Sequence, residues 1–154
     1  MAEVGDAILV GSTDPPCDPL DWVDDPDQFP SSVTALQWDR QVLRAARRMP
    51  DLTVPNSPIG IVGVYDVSDD WIPIYDRTNL GGFYVAIGTS GNQFKNAGAV
   101  GHCMAELIEA VETGHDHDAS PVQVTGEHTG LVIDLGRYSR KRPITADSSF
   151  SVLG

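Results

Sequence analysis

Apolar and polar positions follow two different periods along this chain, and the two periods predict its regular elements. Short apolar runs bounded by glycine, aspartate or asparagine predict five strands, at 7–10, 59–65, 71–75, 83–87 and 131–135. Apolar residues three or four positions apart predict two amphipathic helices, one over 32–49 and one over 100–111 with Gly114 as its C′ residue. This mixture predicts an α+β fold with a mixed β-sheet and two main helices.

Length and charge limit the possible function classes. The 154 residues predict one domain or a piece of a larger protein, and a hydrophobic content of 41% is typical of a globular chain. The formal net charge of −12 repels phosphate groups and anionic lipid, so we expect no nucleic-acid partner and no membrane partner. No apolar run approaches the length of a bilayer span, and residues 1–30 contain no Lys or Arg, so we expect a cytoplasmic protein.

Cysteine and histidine positions do not predict a metal centre. Cys17 and Cys103 form no CxxC pair and are interpreted as free thiols. The run His115-Asp116-His117-Asp118 lies in a polar stretch and is interpreted as a solvated loop. The basic cluster over 137–142 is interpreted as an intramolecular partner of the acidic N-terminal segment, because residues 1–30 carry eight acids and no base.

The segment over 88–97 carries the most chemical information, because it joins an apolar strand to a helix and consists mainly of small, hydrogen-bonding residues. Its sequence is Gly88-Thr89-Ser90-Gly91-Asn92-Gln93-Phe94-Lys95-Asn96-Ala97. Backbone N–H groups at a helix N-terminus lack partners and favour an anionic or electron-rich group, to which Lys95 adds a full positive charge. A tight turn that binds nothing is the alternative, because the phosphate-loop fingerprints GxxxxGK[ST] and GxGxxG are both absent.

Three motifs occur in a fixed order before the second helix. They are GVYDVSDDWIPI at 63–74, GFYVA at 82–86 and GTSGNQFK at 88–95. Together they resemble the C-terminal region of the D-amino acid oxidase (DAO) superfamily, and within it the sarcosine, glycine and dimethylglycine oxidase branch. In that family a Tyr-containing turn leads through D-G-x-P-I-x-G to G-x-Y-V-A-x-G-x-S-G-H-G-F-K.

This resemblance implies that the chain is the C-terminal fragment of a two-domain FAD-binding oxidoreductase. Within a matching region 1–114, residues 5–66 would belong to the substrate domain and 72–114 to the FAD domain, and 115–154 would be a C-terminal extension. No GxGxxG occurs in the chain, so the dinucleotide-binding part is expected in a missing N-terminal portion or in another subunit. The Pro-rich connection over 12–32 and the incomplete sheet then predict exposed apolar surface and a homo-oligomer in isolation.

The resemblance also implies residue roles in and near the 88–97 turn. Contacts to FAD are expected from Gly88, Ser90, Gly91, Asn92, Gln93 and Phe94. Lys95 is expected to bind the carboxylate of a substrate, and Tyr65 to line the substrate side. Relatives that bind flavin covalently carry Cys at the position of Gly63, so we expect non-covalent FAD, bound only when the missing N-terminal part is present.

The predicted function is oxidation of a C–N bond in a small amine or amino acid by hydride transfer to FAD, with this chain inactive alone. The alternative is a non-catalytic α+β module that binds an anion or a partner protein through the 88–97 turn. No catalytic residue is assigned. Oxidase and dehydrogenase chemistry both stay open, as does the choice between a truncated chain and a natural short subunit.

Overall fold

The chain divides into two compact units, 1–64 and 65–154. The computed structural model describes residues 3–4, 7–11 and 21–150. Cys17 and part of the 12–32 connection lie outside the described residues.

The first unit contains a short strand pair and one helix. β1 (Glu3–Val4) pairs antiparallel with β2 (Ala7–Ile8), which confirms a strand within the predicted 7–10 segment. α1 (Ala35–Ala46) lies within the predicted helix 32–49 and confirms it. The Thr34 hydroxyl accepts a hydrogen bond from the Gln37 N–H at 3.2 Å, and this bond satisfies one of the donors left free at the start of α1.

The strand predicted at 59–65 is wrong for the described structure. This segment has no regular secondary structure, and Ile61 is 85% exposed. A strand forms only where its backbone N–H and C=O groups find a neighbouring strand, and among the described residues no strand pairs with this segment. Its apolar side chains are therefore left on the surface of the first unit.

The second unit consists of two antiparallel strand pairs and one long helix. Its elements in chain order are β3 (Ile74–Arg77), β4 (Tyr84–Ile87), a 3₁₀ turn (Gln93–Asn96), α2 (Ala97–Glu112), β5 (Gln123–Thr125), β6 (Val132–Asp134) and a second 3₁₀ turn (Leu135–Tyr138). β3 pairs with β4, and β5 pairs with β6. The strands predicted at 71–75, 83–87 and 131–135 are confirmed with shifted ends, whereas the sequence pattern does not predict β5.

α2 ends as the sequence predicts. The Gly114 N–H donates to the Val111 C=O at 3.0 Å, and the His115 N–H donates to the Ala110 C=O at 2.9 Å. These two bonds form a Schellman motif, which satisfies C=O groups in the last turn of a helix. Gly114 has a φ of 99°, a conformation that glycine adopts without strain, so its position as the C′ residue is confirmed.

The buried apolar core of the second unit is formed by α2, β5 and the 3₁₀ turn after β6. Cys103 and Leu107 on α2 are buried with Val124 and Leu135 in one apolar cluster. Cys103 is a free thiol, as predicted. Burying one large aliphatic side chain contributes about 1.5–3 kcal/mol, so the residues after Gly114 supply a substantial part of the stability of this unit.

The α+β class and the two main helices are confirmed. All strand pairs among the described residues are antiparallel, so a mixed sheet stays a prediction. The two-domain context and the predicted domain limits also stay predictions. Within the described parts of the chain, no helix combines the length and the apolar character needed to span a membrane.

Candidate functional site

The turn that joins β4 to α2 has a left-handed backbone at three positions. The φ values of Gly88, Ser90 and Gly91 are 67°, 50° and 76°. Serine is strained in this region, and the Ser90 hydroxyl is buried and donates to the Gly88 C=O at 3.3 Å. A β-carbon at position 88 would lie 3.2 Å from the β-carbon of Ser68, so space as well as backbone conformation favours glycine there.

Asp66 binds the first half of this turn through three consecutive N–H groups. Its carboxylate accepts hydrogen bonds from the Gly88 N–H, and from the N–H and hydroxyl of Thr89 at 3.1 and 2.7 Å. Its backbone C=O accepts a hydrogen bond from the Ser90 N–H at 2.9 Å. Desolvation would raise the pKa of Asp66, but the hydrogen bonds from Thr89 and Gly88 outweigh it and hold this pKa below its ordinary value.

Side chains in the second half of the turn bind one another. The Tyr75 hydroxyl on β3 donates to Gln93 Oε1 at 2.8 Å, and Asn96 Nδ2 donates to the same oxygen at 2.9 Å. Gln93 Nε2 in turn donates to Asn92 Oδ1. Burial raises the pKa of Tyr75 to about 12, so its hydroxyl stays a donor at neutral pH.

The N-terminus of α2 is open. Asn92 at the start of the 3₁₀ turn and Asn96 at the start of α2 make no side-chain capping hydrogen bond, and neither element has an acid in its first turn. Phe94 is 98% exposed, and Lys95 is exposed next to it. The positive end of the helix dipole and the Lys95 ammonium are therefore both available to an electron-rich group.

The predicted site residues lie in one continuous turn, to which Tyr65 is connected through Asp66. Tyr65 directly precedes Asp66, whose carboxylate binds Gly88 and Thr89. The Tyr65 ring meets the Trp71 ring edge to face, with 6.5 Å between the ring centroids. The sequence patterns identify the turn and Tyr65, but not the carboxylate that joins them.

The comparison with known families decides the class of this protein. A family model described as DAO, FAD dependent oxidoreductase, matches residues 2–107, which is more than half of the chain. The chain belongs to the DAO family of FAD-dependent oxidoreductases. No curated protein and no solved structure matches it.

The open turn of this DAO chain fits an FAD group. Negative charge that develops on a flavin is stabilised by backbone N–H groups at a helix N-terminus. The Gly88, Thr89 and Ser90 N–H groups donate to Asp66, and the Asn92 N–H donates to the Thr89 C=O at 3.2 Å. Outside the bonds internal to helices and 3₁₀ turns, no backbone hydrogen bond of the described residues involves the N–H groups of Gly91, Gln93 and Phe94, so these groups are candidate donors to a bound group.

The DAO motif D-G-x-P-I-x-G aligns with this chain on Asp70, Pro73 and Ile74. Its first glycine then falls on Trp71, which has a φ of 60°. The backbone thus keeps a glycine-like conformation although the side chain is large. Asp76, two positions after Ile74, is completely buried.

Asp76 is bound by a segment that lies beyond the family match. Its Oδ2 accepts hydrogen bonds from the Ser139 hydroxyl at 3.0 Å, from the Arg140 N–H at 2.8 Å and from Arg140 Nη1 at 3.0 Å. Its Oδ1 accepts one from the Arg77 N–H at 2.7 Å. Arg140 also binds Asp118 with both terminal nitrogens, at 2.8 and 2.9 Å. The buried carboxylate is therefore paired and saturated with donors, as a buried charge must be.

The solvated-loop interpretation of 115–118 is wrong for His117 and Asp118, whereas His115 and Asp116 are exposed as it predicts. His117 is buried, and the Asp118 side chain is only 13% exposed. His117 Nδ1 accepts a hydrogen bond from the Val122 N–H at 3.0 Å, while Nε2 lies 3.6 Å from Asp76 Oδ1. Burial lowers the pKa of His117 in spite of the neighbouring carboxylates, so the ring is neutral at pH 7. Among the residues the structure describes, no group of three or more His, Cys, Asp or Glu is placed to hold a metal ion.

Three residues of the basic cluster over 137–142 pair within the second unit, and for these three the predicted pairing with the acidic N-terminal segment is wrong. Arg140 and Lys141 bind Asp118, and Arg142 binds Asp70. Arg140 and Lys141 hold the pKa of Asp118 well below its ordinary value. Partners 22 to 72 positions apart leave no periodic signal in a sequence, so pattern reasoning misses this network.

Proposed function

We propose that the chain is the C-terminal portion of an FAD-dependent oxidoreductase that oxidises a C–N bond of an amine or amino acid in the cytoplasm. The proposed branch is that of the sarcosine, glycine and dimethylglycine oxidases. The observation that carries the proposal is the open N-terminus of α2, where Phe94 and Lys95 are exposed within the DAO-matching region. Because the chain contains no GxGxxG, the dinucleotide-binding part would come from an upstream portion or another subunit.

The residues of the turn divide into donors and shaping residues. The N–H groups of Gly91, Gln93 and Phe94 would face the electron-rich edge of a non-covalently bound FAD. FAD supplies the acceptor for the hydride that leaves the substrate. Gly88 and Ser90 shape the turn and do not donate to FAD, because their N–H groups already donate to Asp66.

Lys95 would bind the substrate carboxylate, and Tyr65 would line the substrate side. A hydrogen bond to a charged group is worth about 1.5–3 kcal/mol, or about one to two powers of ten in affinity. An amine that lacks the carboxylate gains nothing from Lys95. The proposal therefore predicts that a change at Lys95 weakens the binding of carboxylate substrates and leaves the binding of amines without a carboxylate unchanged.

The test is Lys95→Met in the complete protein with FAD bound. This change removes the ammonium and keeps most of the side-chain volume. The expected KM for a carboxylate substrate rises about 10- to 100-fold, and the KM for the decarboxylated amine analogue is unchanged. FAD stays bound, because its contacts in this turn come from backbone N–H groups. Equal, small effects on both substrates would exclude Lys95 from the site, and a wild-type protein without a flavin spectrum would refute the proposed function.

The alternative proposal is a non-catalytic module that binds an anion or a partner protein at this turn. It has weaker support, because the Asp66 carboxylate already occupies the Gly88 and Thr89 donors. A free anion would have to compete with the Asp66 carboxylate for these donors. Titration of the complete protein with inorganic phosphate, with FAD as the comparison ligand, separates the two proposals.

A further inference from the structure

Asp66 connects two parts of the proposed site that lie at least 22 positions apart in the chain. Three consecutive N–H groups, those of residues 88, 89 and 90, donate to it, and so does the Thr89 hydroxyl. Tyr65 is its neighbour on the N-terminal side. One residue thus holds the start of the turn and is adjacent to the residue expected on the substrate side.

We propose that Asp66 is a positioning residue that fixes the 88–91 turn in the conformation that faces FAD and holds Tyr65 at that turn. This inference rests on the proposed function. Gly88 and Gly91 adopt positive φ readily, but they adopt many other conformations equally well. Selecting one of these conformations requires fixed hydrogen-bond partners, because each ordered residue loses backbone conformational entropy.

An ionised carboxylate suits this task better than any neutral side chain. Its two oxygens accept three hydrogen bonds from Gly88 and Thr89, and bonds to an ionised acceptor are about twice as strong as neutral ones. Asparagine has the same size, but its Nδ2 donates and cannot accept, so at least one donor of the turn loses its partner. Asp69 offers a matched control, because it is exposed and makes no hydrogen bond or ion pair in the part of the chain that the structure describes.

The experiment compares four variants of the complete protein with FAD: Asp66→Asn, Thr89→Val, Thr89→Ser and Asp69→Asn. Asp66→Asn is expected to raise the dissociation constant for FAD about tenfold or more and to shift the visible spectrum of the bound flavin. Thr89→Val is expected to change the dissociation constant and the spectrum in the same direction by a smaller amount. Thr89→Ser is expected to keep the wild-type values of both, because it keeps the hydroxyl. Asp69→Asn should match the wild type. Amide exchange should become faster at residues 88–90 in Asp66→Asn and stay unchanged in α2.

The outcomes separate this inference from the proposed function. A wild-type protein that binds no FAD overturns both. If the wild type binds FAD and Asp66→Asn equals Asp69→Asn in dissociation constant and spectrum, only the role of Asp66 is overturned. Faster exchange throughout α2 would show a general loss of stability and would also overturn the positioning role.

Discussion

Replacing Asp70 by Asn tests the ion pair that attaches the C-terminal segment to the start of β3. Asp70 is 1% exposed, and Arg142 binds it with Nη2 at 2.7 Å and with Nε at 3.2 Å. The N–H groups of Ile72 and Thr145 add hydrogen bonds at 3.1 and 3.2 Å. Burial alone would raise the pKa of Asp70, but Arg142 and these backbone donors lower it from 3.8 to about 2.

That pKa difference gives the expected magnitude. Lowering the pKa of Asp70 from 3.8 to about 2 corresponds to about 2.5 kcal/mol of stability at pH 7. Because the folded pKa is the lower one, this contribution is complete above about pH 4 and is lost as the pH falls through about 2. Asn also leaves the Arg142 guanidinium buried without an ionised partner, so about 2.5 kcal/mol is a lower estimate.

Urea unfolding of the wild type, Asp70→Asn and the exposed control Asp69→Asn measures this effect. At a typical slope of about 2 kcal/mol per molar urea, Asp70→Asn should lower the unfolding midpoint by about 1 M or more at pH 7. The gap between Asp70→Asn and the wild type should narrow to about half at pH 3. The control should stay within about 0.5 kcal/mol of the wild type. Equal midpoints at pH 7, or a gap that does not narrow on acidification, would refute the reasoning.

The remaining predictions concern packing, one hydrogen bond and association. Leu107→Ala should lower the free energy of unfolding by about 2–5 kcal/mol because Leu107 is 0% exposed, whereas exposed Leu80→Ala should change it by less than about 0.5 kcal/mol. Tyr75→Phe should lower the free energy of unfolding by about 0.5–1.5 kcal/mol, because Gln93 Oε1 loses a donor; an unchanged thermal midpoint would contradict this. The chain in isolation should bind an apolar dye and self-associate through surfaces such as Ile59 and Ile61, and sedimentation of Ile61→Lys should show weaker association. A monodisperse monomer without dye binding would count against the expected homo-oligomer.

Sequence patterns predict the elements that are stabilised by residues close to one another in the chain. α2 has apolar positions at helical spacing and a glycine at C′, and both features act within a few residues of one another. The strand at 59–65 fails for the opposite reason, because an apolar run forms a strand only when a neighbour accepts its hydrogen bonds. The same apolar run would form a strand if a neighbouring strand outside the described residues paired with it.

The candidate site likewise has a part that the sequence predicts and a part that depends on residues far apart in the chain. Glycines, a serine and a lysine between a strand and a helix predict the 88–97 turn, because their backbone freedom and charge are properties of the residues themselves. The role of Asp66 depends on loop closure that brings it to Gly88 and Thr89, and no composition or spacing within either segment encodes that distance. The network around Asp118 is also non-local, because Arg77 and Arg140 approach it from opposite directions along the chain.

Asp76 shows why the segment beyond the DAO match belongs to the same folding unit. A buried carboxylate without a partner destabilises a protein by about 3–5 kcal/mol. In this chain Ser139 and Arg140 supply the partners, and Arg140 is in turn oriented by Asp118. The buried aspartate on β3 therefore takes its ionised partner from a segment that follows β6. Removal of Arg140 would leave Asp76 buried without its ionised partner, whereas Arg140 would keep Asp118 if Asp76 were removed. The two positions are therefore coupled although the family match ends at residue 107 between them.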